Sequence, residues 1–496
     1  MTYPRLSSEI FAAGDHARAV EDWDTLVLAH RGFTASGTFI SPYSYIITQA
    51  TIDLTTYYYA LNAYQILFGG PSNAGGVDGT DANAVIVAVK TSLSSTGGSI
   101  LIREGTYPGI NFTLSEDNII IVGTPTTILD STGYATAITI TGTGDALIGL
   151  TFTGDEILVQ LKGIRGRVEN CVFACADTDT NHWCIYVSHD VLTTETYNII
   201  QNNTITKGEY GILVFHVKNN FIIGNVITEA SQHCIRIVAS SYTRVIGNDL
   251  YNAHRGVIID HYALFNVVSS NTIHNMAGED ACGIVLSGQV SYSVIDGNTI
   301  YDMIGTVSSY GINMEWGQVD LLKPFSNIIS NNNISSIGCD GIIVFHCDKT
   351  NVTGNICINC GSFGEGYNGI HAEYSEHTVI VANICNSNRN YGIYINDNDY
   401  TTVALNTVRS NATNAIYTNS ETSLKMILNS GYNIENYGNS TGTGAEQTIA
   451  HGLIGTPHVT ITPTVSGATV SGLYADSTNI YVTVTSGKTY FWSASF

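Results

Sequence analysis

An Asn-x-apolar step returns at near-constant intervals through the middle of this chain, at Asn203, Asn225, Asn248, Asn271, Asn298, Asn332, Asn355, Asn383 and Asn406. The gaps are 22, 23, 23, 27, 34, 23, 28 and 23 residues. A second phrase follows each step by 8 to 14 residues, as in Gly211-Ile212, Gly311-Ile312, Gly341-Ile342, Gly369-Ile370 and Gly392-Ile393. Self-similarity at a fixed period marks a repeat architecture, and about 22 residues hold three short strands and three turns, one coil of a parallel β-helix. Alternation from Gly211 to His216 agrees, with Ile212 and Val214 on one side and Leu213 and Phe215 on the other. The repeated asparagines read as a turn ladder: stacked amides bond along the helix axis and satisfy backbone groups that the turn leaves unpaired. Loops budding from regular coils account for the longer gaps.

Composition supports strands and turns: 49 of 496 residues are Gly and only 8 are Pro. Charge is sparse but lopsided, 19 basic against 41 acidic residues for a net of −22. Such a surface argues against nucleic acid and anionic membranes as partners, and it repels a polyanionic glycan unless a local basic site compensates. Met1 to Ile10 lacks a basic stretch followed by an apolar run, so no secretory leader is expected, and no segment approaches the ~20 apolar residues of a membrane span. The ten cysteines form no framework, and Cys357 and Cys360 make a lone CxxC without a second pair at zinc spacing. Small buried hydrophobes in a reducing compartment fit them better, and neither a metal nor a cofactor is expected.

Three regions are expected. Residues 1–70 form a head, with a short helix near 8–20 and Tyr-rich strands from Phe39 to Leu67. Residues 71–440 form the β-helix, opened by a capping helix near 81–94 with Asp81 as N-cap and Val85, Ala88, Val89 and Leu93 on one face. Residues 441–496 follow a flexible joint at 440–444 and form a small β-sandwich or trimerising cap from four alternating strands.

The opening of the second region, Asp78-Gly79 and Asp81, then Gly97-Gly98 and Gly105-Thr106-Tyr107, resembles the pectate-lyase-like superfamily over roughly residues 76 to 440. That resemblance implies an all-β, single-stranded right-handed parallel β-helix of about 22–28 residues per coil. Its members include polygalacturonases, polysaccharide lyases and viral tailspikes, so the fold alone assigns no activity. The tail, with Gly455-Thr456-Pro457 and Phe491-Trp492, resembles terminal modules of viral tail fibres and spikes over about 50 residues.

Equivalent residues of successive coils stack ~4.8 Å apart, so sites appear as stripes. With the Ile after each Gly facing inward, the residues one and three further on face out. Asp260, Glu315 and Glu373 then share one outward column, each two coils from the next and ~9 to 10 Å apart. Inverting glycosidases separate their two carboxyls by about 6.5–9.5 Å. These three are the candidate catalytic acids, with Trp316, Tyr374 and Tyr394 placed to stack on sugar rings and Arg236 and His371 placed to hold an acidic sugar or to act as acid and base of a lyase. A solvated acidic surface is the plainer account of the same column. Histidines at 189, 216, 261 and 346 recur at a turn but are spread over several coils, which disfavours a metal site.

The resulting expectation is a virion tailspike-like receptor-binding protein, made in the host cytoplasm and carried on the virion tail. It is a homotrimer joined by its head to a tail or baseplate protein, and it recognises a cell-surface polysaccharide. Whether it also cleaves that glycan as a glycoside hydrolase, or less readily as a lyase, stays open. So do an extracellular polysaccharide hydrolase or lyase of cellular origin and a non-catalytic adhesive β-helix.

Overall fold

The structure, a computed structural model, describes residues 43–495 other than 53, 63–65, 176–181, 192–193, 316–322, 365, 421–422, 432–434 and 451–456. The expected helix near 8–20 lies outside the described residues, as does Trp316. Contacts divide the chain after Gly278 into two compact units, each built from the same coil.

In the first unit one coil consists of strands Ile199–Gln201, Thr204–Thr206 and Tyr210–Phe215, and the next of Phe221–Ile223, Val226–Thr228 and His233–Val238. Each strand pairs in parallel with its equivalent, placing Ile200 opposite Ile222, Ile205 opposite Ile227 and Ile212 opposite Ile235. All six isoleucines are fully buried, and a burial of this kind stabilises by about 1.5–3 kcal/mol per side chain. The strands are short because left-handed residues break the chain between them: Asn202, Lys207, His216 and Asn219 all have φ between 54° and 69°. In the second unit, Ile328–Ser330, Asn333–Ile337 and Ile342–Phe345 pair in the same way with Asn351–Thr353, Ile356–Cys360 and Ile370–Glu373.

The asparagine ladder is present in both units. Asn203 Nδ2 donates to Asn225 Oδ1 (2.9 Å) and to the Val168 carbonyl (2.9 Å), while its backbone N–H donates to Asn225 Oδ1 (3.0 Å). The second unit repeats the pattern from Asn298 through Asn332, Asn355, Asn383 and Asn406. It extends one step beyond the sequence reading, to Asn429, whose Oδ1 accepts from Asn406 Nδ2 at 2.9 Å. The 34-residue gap after Asn298 is not simply a loop: Thr299–Glu315 is one 17-residue strand whose Ile304 and Val307 are 57% and 66% exposed.

The Tyr-rich segment contributes strands, one of which pairs with Gly98–Ile102. Tyr45–Ile52 and Thr55–Leu61 form an antiparallel hairpin, and Tyr45–Ile47 pairs in parallel with Ile100–Ile102. Helix α1 spans Ala82–Ser92, capped by Asp81, whose carboxylate accepts from the Ala84 N–H at 3.0 Å. It packs on Thr55–Leu61 and Ile66–Gly69 through Ala82, Val85, Ile86 and Val89. Ile86 rather than the expected Ala88 belongs to that buried set. Lys90, itself buried, reaches Glu116 at 2.8 Å.

At the C-terminus two three-stranded antiparallel sheets face each other. Thr489–Ser495 lies between Glu435–Thr441 and His458–Pro463, and Asn479–Val484 between Glu446–Ala450 and Val470–Ala475. Ile480, Val482, Val484, Tyr490, Trp492 and Ala494 form the core. Two of the six strands, Glu435–Thr441 and Glu446–Ala450, were not foreseen. The expected flexible joint is a tight turn between them: Gly442 donates to the Lys488 carbonyl at 2.8 Å, leaving no room for a Cβ. All ten cysteines are buried thiols outside any disulfide, and burial pushes the Cys360 thiol well up. Among the described residues no helix is long and apolar enough to cross a membrane.

Candidate functional site

The outward face beside the Gly-Ile phrases carries three columns. In the second unit Asn313, Ile343, His371, Tyr394 and Tyr417 stand in one, and Glu315, Phe345, Glu373, Asn396 and Asn419 in the next. A third column, absent from the sequence reading, lies just before the phrases. Tyr391 pairs with Asn414 there, and counting back two places from each paired Ile puts Tyr310, Asp340 and Asn368 in the same line. Its signal was available: polar or aromatic residues precede Gly311, Gly341, Gly369 and Gly392 at the same interval.

Asp340 is the most consequential residue of that third column. Its side chain is 3% exposed, and its Oδ1 accepts from the backbone N–H and Nδ2 of Asn368 at 2.6 and 2.9 Å. The other oxygen, Oδ2, faces His371 Nδ1 at 3.3 Å. On the far side, His371 Nε2 lies 3.5 Å from Glu373 Oε2. Burial alone would lower the His371 pKa, but the carboxylates of Asp340 and Glu373 outweigh it and hold the imidazole above its ordinary value. Asn396 Nδ2 fixes the remaining Glu373 oxygen at 2.6 Å and is itself held by Asn419, whose Nδ2 donates to Asn396 Oδ1 at 2.8 Å.

Removing the buried charge tests this row. In Asp340→Asn the His371 pKa is expected to fall, read from the ring nitrogen shifts of labelled histidine. A group whose folded pKa is raised stabilises fully below its unfolded value, about 6.5 for histidine, and loses that stabilisation as pH rises through the folded value. The variant is therefore expected to lose stability chiefly in acid. An unchanged His371 titration would show that Asp340 does not set it.

Glu315 lies two coils from Glu373, as expected, with Phe345 on the intervening coil. Asn313 Nδ2 donates to Glu315 Oε2 at 3.2 Å. Phe345 meets His346 and Tyr374 edge to face, with centroids 4.5 and 5.7 Å apart. Tyr374 occupies the adjoining turn with φ 50° and stacks on His346 at 4.9 Å. Tyr394 stacks on Tyr417 at 4.9 Å and meets the His371 ring edge to face at 4.8 Å. The two carboxylates thus flank an aromatic ring, and further rings stand beside them.

Arg236 and Asp260 fall in the first unit, where they bind each other. Asp260 Oδ2 accepts from Arg236 Nε and Nη2 at 3.1 and 2.8 Å, and Nη1 donates to the Tyr210 hydroxyl at 2.9 Å. Next to them His233 is buried, and desolvation together with Arg255 and Arg236 pushes its pKa down to about 3, so it stays neutral. The turn histidines at 216, 261 and 346 share left-handed φ values of 52° to 57° and sit on separate coils. A different trio, Asp348, Glu376 and His377, brings its ligand atoms within 4.8 Å of one another. His377 Nδ1 already contacts Asp348 at 3.1 Å and Lys323 already pairs with Glu376 at 3.1 Å.

Residues 136–318 and 282–452 match the right-handed β-helix region, together well over half of the 496 residues, and the chain belongs to that family. It is an all-β, right-handed parallel β-helix. No curated protein matches it in sequence. Among solved structures it is similar to the Dettilon tailspike protein (14% identity, TM-score 0.49, covering 84% of this chain and 90% of that one). It is also similar to the tailspike of Pseudomonas phage phi297 (9%, 0.44, 85% and 92%) and to the periplasmic alginate epimerase AlgG (13%, 0.44, 67% and 76%). Likeness at these levels concerns the fold.

Proposed function

We propose that the outward face around Glu315 and Glu373 binds a polysaccharide and cleaves it by hydrolysis, in a tailspike-like receptor-binding homotrimer that attaches to a cell-surface glycan. The observation that carries the site is the placement of two carboxylates two coils apart in one column, with the Phe345 ring between them. A sugar ring over Phe345 has one carboxyl on each side. One protonates the glycosidic oxygen as its bond to the anomeric carbon breaks. The other takes a proton from the water that attacks that carbon, the division of labour of an inverting glycosidase. Tyr374 and Tyr394 flank neighbouring sugars. The sandwich that follows the helix supports the trimer, since its sequence resembles spike and fibre termini.

Glu315→Gln and Glu373→Gln are each expected to slow release of reducing ends from the bound glycan by at least about 100-fold while leaving binding within a few-fold. Light scattering is expected to give about 160 kDa, three chains of 53.2 kDa in a closed ring. A lectin-like reading is favoured by one observation: Glu373 is already engaged by both Asn396 and His371. Full cleavage in both variants, or no cleavage in the parent with binding intact, would establish it.

A further inference from the structure

Building on the glycan reading of this face, we infer that its ligand is an uncharged polysaccharide, recognised by hydroxyl hydrogen bonds and ring stacking rather than by ion pairs. An acidic sugar brings a carboxylate that must be paired with a cation as it leaves water. Two basic residues were candidates for that task, and each already faces a carboxylate of this chain. Arg236 gives Nε and Nη2 to Asp260 and Nη1 to Tyr210. His371 lies between Asp340 and Glu373. Among the described residues, the three outward columns from Tyr310 to Asn419 contain no lysine or arginine, against acids at 315, 340 and 373.

Among the described residues, two buried polar atoms of this face lack a hydrogen-bond partner, Asn313 Oδ1 and His371 Nε2, the latter facing Glu373 Oε2 at 3.5 Å. Asn313 Oδ1 is buried with no hydrogen-bond partner, while the amide's Nδ2 is committed to Glu315. An acceptor in that state takes a donor, which a sugar hydroxyl supplies and a sugar carboxylate does not. Glu315, a half-buried carboxylate, likewise accepts from hydroxyls and repels a second carboxylate. Phe345 and the Tyr394–Tyr417 stack supply the apolar surface against which a sugar ring packs. The net charge of −22 extends the repulsion of polyanions beyond the site.

The test is binding of the full chain to an immobilised panel, at low salt and again at about 0.5 M salt. Uncharged probes are dextran, mannan, galactan and rhamnan, and acidic probes are alginate, polygalacturonate and polysialic acid. A Phe345→Ala chain, its folding checked by circular dichroism, serves as the site reference, and Asn313→Ala as a second variant. The expected result is binding to at least one uncharged glycan, changed less than about two-fold by salt and weakened at least about ten-fold by Asn313→Ala. Binding to an acidic glycan that either variant alters overturns the inference and leaves the site standing. Binding that neither variant alters, or none to any probe, removes the site itself and the inference with it.

Discussion

Asn355→Ala is expected to lower stability by roughly 3–5 kcal/mol, far above the effect of an ordinary polar-to-alanine change. Asn355 is fully buried, and its Oδ1 accepts from the backbone N–H and Nδ2 of Asn332 at 3.0 and 2.9 Å. Its Nδ2 donates to the Ile329 carbonyl at 2.9 Å and to Asn383 Oδ1 at 3.0 Å. Truncation strands the Asn332 backbone donor and the Ile329 carbonyl in the interior, each at about 1–3 kcal/mol. Chemical denaturation gives the magnitude. Hydrogen exchange locates it, with faster exchange expected in peptides spanning Ile328–Ile337 and Val379–Asn386. A loss below about 1 kcal/mol would mean that the ladder is ornamental.

The second large effect concerns acidity. Asp145 has no accessible surface; its Oδ1 accepts from the Ile119 N–H at 2.8 Å, and its Oδ2 has no hydrogen-bond partner. Burial first, then the charges of Asp117 and Glu116, pushes its pKa up to about 7. The sign follows from which state keeps the proton. Above the unfolded value of about 3.9 the unfolded chain ionises Asp145 while the folded chain holds it protonated, so unfolding releases a proton and rising pH favours it. Stability is expected to fall from about pH 4 to pH 7 by up to about 4 kcal/mol from this group. Asp145→Asn keeps an acceptor for Ile119 without the ionisation. Its unfolding midpoint is expected to lose that slope and to exceed the parent's at pH 8. A parallel pH profile in the two proteins would assign the slope elsewhere.

How much of this was legible in the sequence depends on distance along the chain. The coil, the ladder and the register of Glu315, Phe345 and Glu373 were readable because each follows from a local period: a buried Ile every coil fixes which neighbours alternate outward. Asp340 was missed for a physical reason. It sits before the Gly, on the far side of the turn from the strand used to count outward positions, and its meaning comes from His371, a coil away in space and 31 residues away in sequence. Pairing of Arg236 with Asp260 was likewise invisible to a reading that placed each residue in a column without asking what its neighbour does with the charge. The additional strands of the sandwich escaped because Glu435–Thr441 is polar and owes its extended form to partners at Thr489–Ser495.

The ladder also sets what lengths this protein tolerates. In the second unit the Oδ1 of one asparagine takes the same two donors of the previous one whether the step spans 23 residues, as from Asn332 to Asn355, or 34, as from Asn298 to Asn332. Removing or duplicating one whole coil therefore leaves each amide with an equivalent partner, whereas deleting a single residue within a strand turns its buried side chains to solvent. Size is thus quantised. The outward face grows or shrinks by whole coils, and its length changes without redesign of the interior.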